Sequence, residues 1–398
     1  MDKIRPINKE RFPQLDALRG YAVLSIILFH FVQHLNYPVY PEPTSSFLSK
    51  TDSFFEKTVH WLWFGKVYSI FTILFGLSFH LQQSVKKFAS NFDIWFSKRM
   101  VVLFLIGCLN AVFFPDGDIL VLYSLVGLLM ILLNKLSTKI LIILAAFLLT
   151  QPIELFQVVM IKYANGHGPV YYSDVLKFHV NQVIAQGDIY KIAWTNFTYG
   201  QVASLLWAHE SGRVSQIIGL FIIGIVAGRT GFIIRNIYNQ GIWQKLAVLC
   251  LILLTGVYYA KHGLLALENG QPLKDSLSVL FGLWQNFIFT CFSISIFFVL
   301  CNTPARKILY TLLVPVGRMS LTNYVLQSVI GAFIFFPFGL NLAEKVGITG
   351  SLLIGVAVSF ILWLFSKSWI SNKKQGPIEY IWRKLVWWNN PAKPILAG

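Results

Sequence analysis

About ten stretches of this chain run apolar for close to the twenty residues that a helix needs to cross a hydrocarbon core. They fall near residues 17–36, 62–83, 99–115, 119–134, 138–161, 214–232, 244–262, 277–300, 319–338 and 349–369. A chain so divided has to satisfy its backbone inside lipid, and helices do that segment by segment. Composition agrees: 56% of the 398 residues are hydrophobic and 13% are charged, against about 25% charged in soluble domains. The run at 119–134 is short, but it follows the turn Pro115-Asp116-Gly117-Asp118 and suits an antiparallel pair. The expected fold class is all-α, a polytopic transmembrane helix bundle of about ten spans.

The net charge of +16 is distributed between these runs rather than along one face, which argues against a nucleic-acid partner and for membrane lipids. With the connections placed alternately, one side collects Lys3, Arg5, Lys9 and Arg11, then Lys86, Lys87, Lys98 and Arg99, then Lys135 and Lys139. The same side receives Arg229, Arg235, Lys245, Arg306, Lys307 and Arg318, and finally Lys367, Lys373, Lys374, Arg383, Lys384 and Lys393. Short basic connections stay cytoplasmic, so both termini are expected there, in a cell inner (plasma) membrane. Three units follow: a five-span half over 1–161, an extracytoplasmic connection over 162–213, and a second five-span half with a basic aromatic tail over 214–398. Within the connection, the aromatic stretch Ile192–Trp207 reads as an interfacial helix. The tail, with Trp382, Trp387 and Trp388 among lysines, reads as a helix resting on the inner leaflet. The first apolar run is expected to be retained rather than cleaved as a signal. Gly219, Gly224 and Gly228 have the small-residue spacing of helix packing. The cysteines Cys108, Cys250, Cys291 and Cys301 show no metal-ligand spacing.

Ionisable groups inside spans are costly, and each is a functional candidate. Arg19 and His30 share one face of the first helix, about 16 Å apart along its axis, with Asp16 one turn before Arg19. His34 follows His30 by four residues, a spacing that suits a metal but lacks a clear third ligand. Lys66 precedes the apolar run Ile70–Phe79, Asn110 interrupts the third span, and Asp118 starts the fourth, where capping alone also explains a carboxylate. Together His30, Lys66, Asn110 and Asp118 are expected to line an outward polar cavity. Arg19, Arg99, Arg229, Arg306 and Arg318 crowd the opposite end, where guanidinium forks suit phosphates; lipid headgroups are the plainer explanation of any single one.

At these residues the chain resembles the YeiB-like membrane protein family. The likeness runs through Leu15-Asp16-Ala17-Leu18-Arg19-Gly20, Gly65-Lys66, Leu74-Phe75-Gly76, Gly117-Asp118-Ile119-Leu120, Tyr123 and Gly224–Arg229. Its strongest block is the run from Val316 to Ser328, and the segment from Gln375 to Arg383 matches too. That family is grouped with the transmembrane acyltransferases, beside the membrane O-acyltransferases and the heparan-glucosaminide N-acetyltransferase. The resemblance implies transfer of an acyl group, acetyl in the first instance, from cytosolic acyl-CoA to a hydroxyl or amine acceptor such as a glycan across the membrane.

The O-acyltransferase relatives carry an arginine and a histidine at the spacing of Arg19 and His30, which implies His30 as base or acyl carrier with Arg19 towards the CoA. Asn110 and Lys66 are then expected to stabilise an oxyanion and Asp118 to orient a partner. Arg318, Asn323 and Tyr324 are expected to hold the acyl-CoA, with no metal. In the YeiB-like pattern an asparagine commonly stands at the position of His30 and a histidine at that of Asn110, so the two look exchanged here. If both face one cavity, the exchange keeps one imidazole and one amide in the site. The alternative reading is a transporter or flippase, since buried His, Lys and Asp also build proton relays. The oligomeric state stays open, a homodimer included.

Overall fold

The computed structural model describes residues 12–84, 91–114, 117–164 and 170–387. The basic residues up to Arg11, the pair Lys86 and Lys87, the corner residues Pro115 and Asp116, and Trp388 and Lys393 lie outside them. Every helix and turn among the described residues belongs to one helical architecture, with no strand.

In chain order, α1 (Pro13–Val32) starts on a proline, ends in a 3-10 turn at His34–Asn36, and is followed by α2 (Ser46–Trp63) and α3 (Val67–Gln83). Next come α4 (Phe92–Ala111), α5 (Ile119–Leu133), α6 (Thr138–Leu149) and α7 (Pro152–Tyr163). Outside the expected spans, α8 (Tyr172–Ala185) leads to α9 (Ile189–Thr195), which passes through a π-helical turn at Asn196–Gly200 into α10 (Gln201–Glu210). The second half holds α11 (Arg213–Thr230), α12 (Phe232–Asn236), α13 (Gln240–Leu267) and α14 (Gln271–Cys301). It closes with α15 (Arg306–Arg318), α16 (Ser320–Phe335), α17 (Ile348–Asn372) and α18 (Pro377–Val386).

Seven helical stretches are long and apolar enough to cross a membrane, and α5 and α16 are shorter apolar helices. Together with α4, whose first turns carry Asp93, Lys98 and Arg99, they cover the runs expected from the sequence. The run at 138–161 is two helices. Gln151 takes a left-handed conformation (φ 60°) before Pro152, whose ring disfavours a continuous helix at that residue. His60 lies in the last turn of α2 and Lys66 directly precedes α3, with the left-handed Gly65 (φ 74°) between them. The connection at 301–318 is largely helix α15, whose basic residues hide its apolar face from a hydropathy reading.

The centre of the bundle is built on small residues. α3 crosses α11 where a Cβ on Gly76 would lie 2.1 Å from the Phe221 carbonyl oxygen, and one on Gly224 2.2 Å from that of Ile73. α1 crosses α15 more closely still: a Cβ on Gly317 would lie 1.7 Å from the Asp16 carbonyl oxygen. Backbones this near gain packing that larger side chains forbid. The expected packing role of Gly219, Gly224 and Gly228 holds, with Gly219 against Leu149 and Gly228 against His80. The apolar windows of α1 and α11 are 67% buried, whereas those of α6–α7 and α13 are 17% buried. Val248, Leu249, Leu251, Ile252 and Leu253 on α13 are exposed, as residues facing acyl chains should be.

Contacts between connections join segments that the charge pattern puts on the same side. Lys162 pairs with Glu268 at 2.7 Å, Asp52 accepts from the Thr349 amide at 2.8 Å, and Arg229 donates to the Leu136 carbonyl at 2.8 Å. Gly317→Val is expected to destabilise the bundle by about 1–3 kcal/mol or more through overpacking. Leu251→Val on the outer surface should stay within about 0.5 kcal/mol. Thermal melts of both variants in the same detergent check this; equal midpoints contradict the crossing.

Candidate functional site: an arginine-lined cavity under a buried polar network

Asp118 is the fixed point of the site. Its extended backbone precedes α5, and its Oδ1 accepts from the Leu120 amide at 2.7 Å, which satisfies one of the open first-turn donors. The same carboxylate takes two side-chain bonds. Tyr324 donates its hydroxyl to Oδ1 at 3.0 Å, and Asn110 donates Nδ2 to Oδ2 at 2.6 Å. Capping and network membership are therefore both true of Asp118. Its own amide donates to Gln201 Oε1 at 3.0 Å, and Asn196 in the π-helical turn donates to the Val112 carbonyl at 3.0 Å. The segment 189–210 is thus clamped on the α4–α5 corner, while Tyr190, Trp194 and Tyr199 on its other face are exposed.

From Asn110 the network crosses to α16. Nδ2 also donates to Ser328 Oγ at 3.1 Å, and Gln327 Nε2 donates to the same oxygen at 3.1 Å. Gln327 in turn meets His30 Nδ1, with its Oε1 at 3.3 Å and its Nε2 at 3.1 Å. When Oε1 accepts from Nδ1–H, the other ring nitrogen, Nε2, keeps its lone pair for a proton. His30 packs against the Phe114 ring at 4.7 Å and the Tyr324 ring at 6.5 Å. His30 and Asn110 therefore sit on one connected network, bridged by Gln327 and Ser328. Both Asn110 N–H bonds are used by Asp118 and Ser328, so in this arrangement the amide positions its neighbours and has no donor left for an oxyanion. Its Oδ1 is buried without a hydrogen-bond partner.

Below this network lies a cavity of about 340 Å³, at the lower end of small-molecule sites. Arg19, Arg99 and Arg318 line one end, and Tyr68, Tyr123 and Tyr324 the other. Arg19 donates to Asp16 at 2.9 Å and to Ser78 Oγ at 2.7 Å, which fixes its fork at the wall. On α1 the cavity reaches Ile26, one helical turn short of His30. Tyr324 separates the two spaces: its side chain lines the cavity while its hydroxyl belongs to the Asp118 network.

Three expectations change at this point. Asn323 faces away, bonding Ser366 Oγ at 2.9 Å and the Val316 carbonyl at 3.3 Å, so it ties α16 to α17 and α15. Consecutive helix residues differ by about 100° around the axis, and Tyr324 alone of the pair turns to the cavity. Among the described residues no hydrogen bond joins the Lys66 side chain to the His30 network, and its ammonium lies 5.5 Å from the Phe289 ring centre. His34 is a packing residue, with Nδ1 at 2.8 Å from the Val39 carbonyl oxygen, Nε2 at 2.6 Å from Ser351 Oγ, and its ring stacked on Phe335.

The tail contributes more than an anchor. α18 packs on α4 and α16, and its Gln375 approach, Glu379 and Trp382 complete the cavity wall. Trp382 donates to the Arg99 carbonyl at 2.9 Å while the Arg99 guanidinium lies 4.0 Å from the Trp382 ring centre. Glu379 accepts from the Leu321 and Thr322 amides at 2.8 and 3.2 Å, satisfying the first turn of α16. Burial pushes its carboxyl above the ordinary range, and the bonds from Thr322 and the backbone offset part of that rise. Sequence reasoning missed Gln327, Ser328 and Glu379, whereas Arg99 was among the arginines it gathered at this end. The signal for the first two was present, since they follow Tyr324 at helical spacing inside an apolar run.

Comparison with known proteins follows the same division. Residues 11–165 match the family described as heparan-alpha-glucosaminide N-acetyltransferase, catalytic, and residues 227–389 match the family described as protein of unknown function (DUF418). The chain is 25% identical over 427 residues to uncharacterized protein YxaH of Bacillus subtilis (strain 168), covering 99% of each chain. It is 26% identical over 418 residues to uncharacterized protein YeiB of Escherichia coli (strain K12), covering 95% of this chain and 96% of that one. No solved structure matches. These likenesses, to YeiB along nearly the whole chain and to the heparan-alpha-glucosaminide N-acetyltransferase family over its first part, support a YeiB-like family related to those acetyltransferases. His30, Asn110 and Asp118 come from the first matched region and Tyr324, Gln327 and Ser328 from the second, so the network closes only when both are folded together.

Removing the Glu379 side chain should free the tail. Glu379→Ala is expected to cost about 0.5–2 kcal/mol at the α16 start and to speed proteolysis between α17 and α18. Limited digestion followed by mass spectrometry reads the cut, and unchanged protection contradicts the docking.

Proposed function

We propose that this protein is a membrane-embedded acyltransferase. It takes an acyl group, acetyl in the first instance, from acyl-CoA at the arginine-lined end, and delivers it to a hydroxyl or amine on an acceptor such as a glycan at the other end. The observation that carries this reading is the continuity from three arginines, along one cavity, to Tyr324, whose hydroxyl is bonded into the network that holds His30. The related acetyltransferase family over residues 11–165 supports the reaction class.

In this reading Arg19, Arg99 and Arg318 engage the phosphates of the donor, for which planar guanidinium forks are suited. A cavity of about 340 Å³ suits the pantetheine arm, with the nucleotide at the mouth between the arginines and α18. The arm lies along Phe71, Leu74 and Phe75, and Tyr324 stands at the thioester. His30 accepts the proton of the acceptor as its oxygen or nitrogen attacks the thioester carbonyl; the carbon–sulfur bond then breaks and the CoA thiolate leaves. Gln327 and Ser328 hold the imidazole tautomer, and Asn110 and Asp118 position Ser328 and Tyr324. In this reading the donor end faces the cytoplasm of an inner membrane, which the basic connections at that end support.

Purified protein incubated with labelled acetyl-CoA and a glycan acceptor tests the proposal. Transfer is expected, with His30→Ala lowering it by about 10²–10⁴ and Arg318→Ala raising the donor KM with a smaller effect on turnover. Label on neither protein nor acceptor counts against it. Proteoliposome uptake of the acceptor without acylation would favour the transporter alternative.

A further inference from the structure

The end of the bundle opposite the arginine-lined cavity carries a second group of cations that acyl transfer does not use. Two left-handed glycines place them: Gly65 (φ 74°) sets Lys66 at the start of α3, and Gly212 (φ 68°) sets Arg213 at the start of α11. A helix N-terminus already carries a partial positive charge, so a cation there is electrostatically misplaced unless something offsets it. Among the described residues, no carboxylate forms an ion pair with Lys66 or Arg213. Glu154 lies against Gly212 and still pairs with neither. Lys66 and Arg213 repel one another, and both act on His60.

Arg213 is the telling member. It is only 7% exposed, and its Nε is buried with no hydrogen-bond partner. The guanidinium sits among the rings of Trp207, Phe64 and Tyr68 at 4.2, 4.9 and 5.0 Å. Cation–π contacts of that kind contribute about 0.5–2 kcal/mol each and leave the charge in place. His60 stacks on the same Phe64 ring at 4.2 Å. Exposure falls from His60 through half-buried Lys66 to buried Arg213.

We propose that His60, Lys66 and Arg213 bind a phosphate group at this end of the bundle. Two fixed cations and a third, titratable one match a phosphate better than a singly charged carboxylate, and the unpartnered Arg213 Nε supplies a buried donor for one of its oxygens. The phosphate belongs either to a free phosphate ester or to a lipid headgroup, and the site reads the same chemistry in both. This assignment is independent of acyl transfer, because no donor takes part in it.

The test uses the full chain in phosphatidylcholine nanodiscs without acyl-CoA. Inorganic phosphate is titrated against acetate at matched ionic strength while tryptophan fluorescence is followed, and a second series replaces part of the lipid with phosphatidylglycerol. Saturable binding is expected in at least one series, with Lys66→Met and Arg213→Gln each weakening it by about tenfold or more. Response to inorganic phosphate assigns a free ester, and response to phosphatidylglycerol alone assigns a headgroup. If neither probe saturates, or if folded Lys66→Met binds as the unsubstituted protein does, the site is refuted. Circular dichroism of each variant secures the comparison, and Lys66→Met decides the matter should Arg213→Gln not fold.

Discussion

A carboxylate, two amides, two hydroxyls and an imidazole buried in an apolar bundle have little but one another to bond to. Leaving any of them bare costs about 1–3 kcal/mol, so the geometry of that group dictates how α1, α4, α5 and α16 meet. Asp118 is its hub, because it ends the α4–α5 corner and accepts from Leu120, Asn110 and Tyr324 at once. The glycine crossing of α1 on α15 serves the same end. It lets α1 approach closely enough for Arg19 to face the cavity and His30 to face Gln327, three turns apart on one helix.

The molecule thus has two chemically distinct ends joined by a narrow middle. One end gathers arginines and the docked tail helix around a cavity; the other gathers Lys66, Arg213 and His60 among aromatic rings. Tyr68, Tyr123 and Tyr324 form the partition. Tyr68 bonds Gln216, Thr72 donates to Tyr123 at 2.9 Å, and Tyr324 bonds Asp118, so each tyrosine is held by a partner on another element or on the far side of the wall. A partition of hydroxyls that are themselves bonded can open by exchanging those bonds for a substrate's, which an apolar plug cannot do.

Much of this was legible in the sequence because hydropathy and charge are local properties. The apolar runs gave the helices, and the glycines Gly219, Gly224 and Gly228 announced a close crossing. The membership of His30, Asn110 and Asp118 in one polar group followed from their cost in lipid. What escaped depends on partners distant in the chain. Helix α15 reads as a basic connection until α1 is seen against it, and α18 reads as a surface anchor until Trp382 meets Arg99. Asn323 and Tyr324 look equivalent as neighbours, yet one faces α17 and the other the cavity. Lys66 was grouped with His30 because both interrupt apolar runs; only the three-dimensional arrangement sets its ammonium over Phe289 and within the field of Arg213.

The central claim is that the donor's reactive end arrives at Tyr324, on the cavity side of the His30 network. A map of the protein bound to a non-reactive thioether analogue of acetyl-CoA tests it directly. Density running from Arg19, Arg99 and Arg318 to the Tyr324 side chain is the predicted result. Analogue bound elsewhere on the bundle, with this cavity unaltered, contradicts the account.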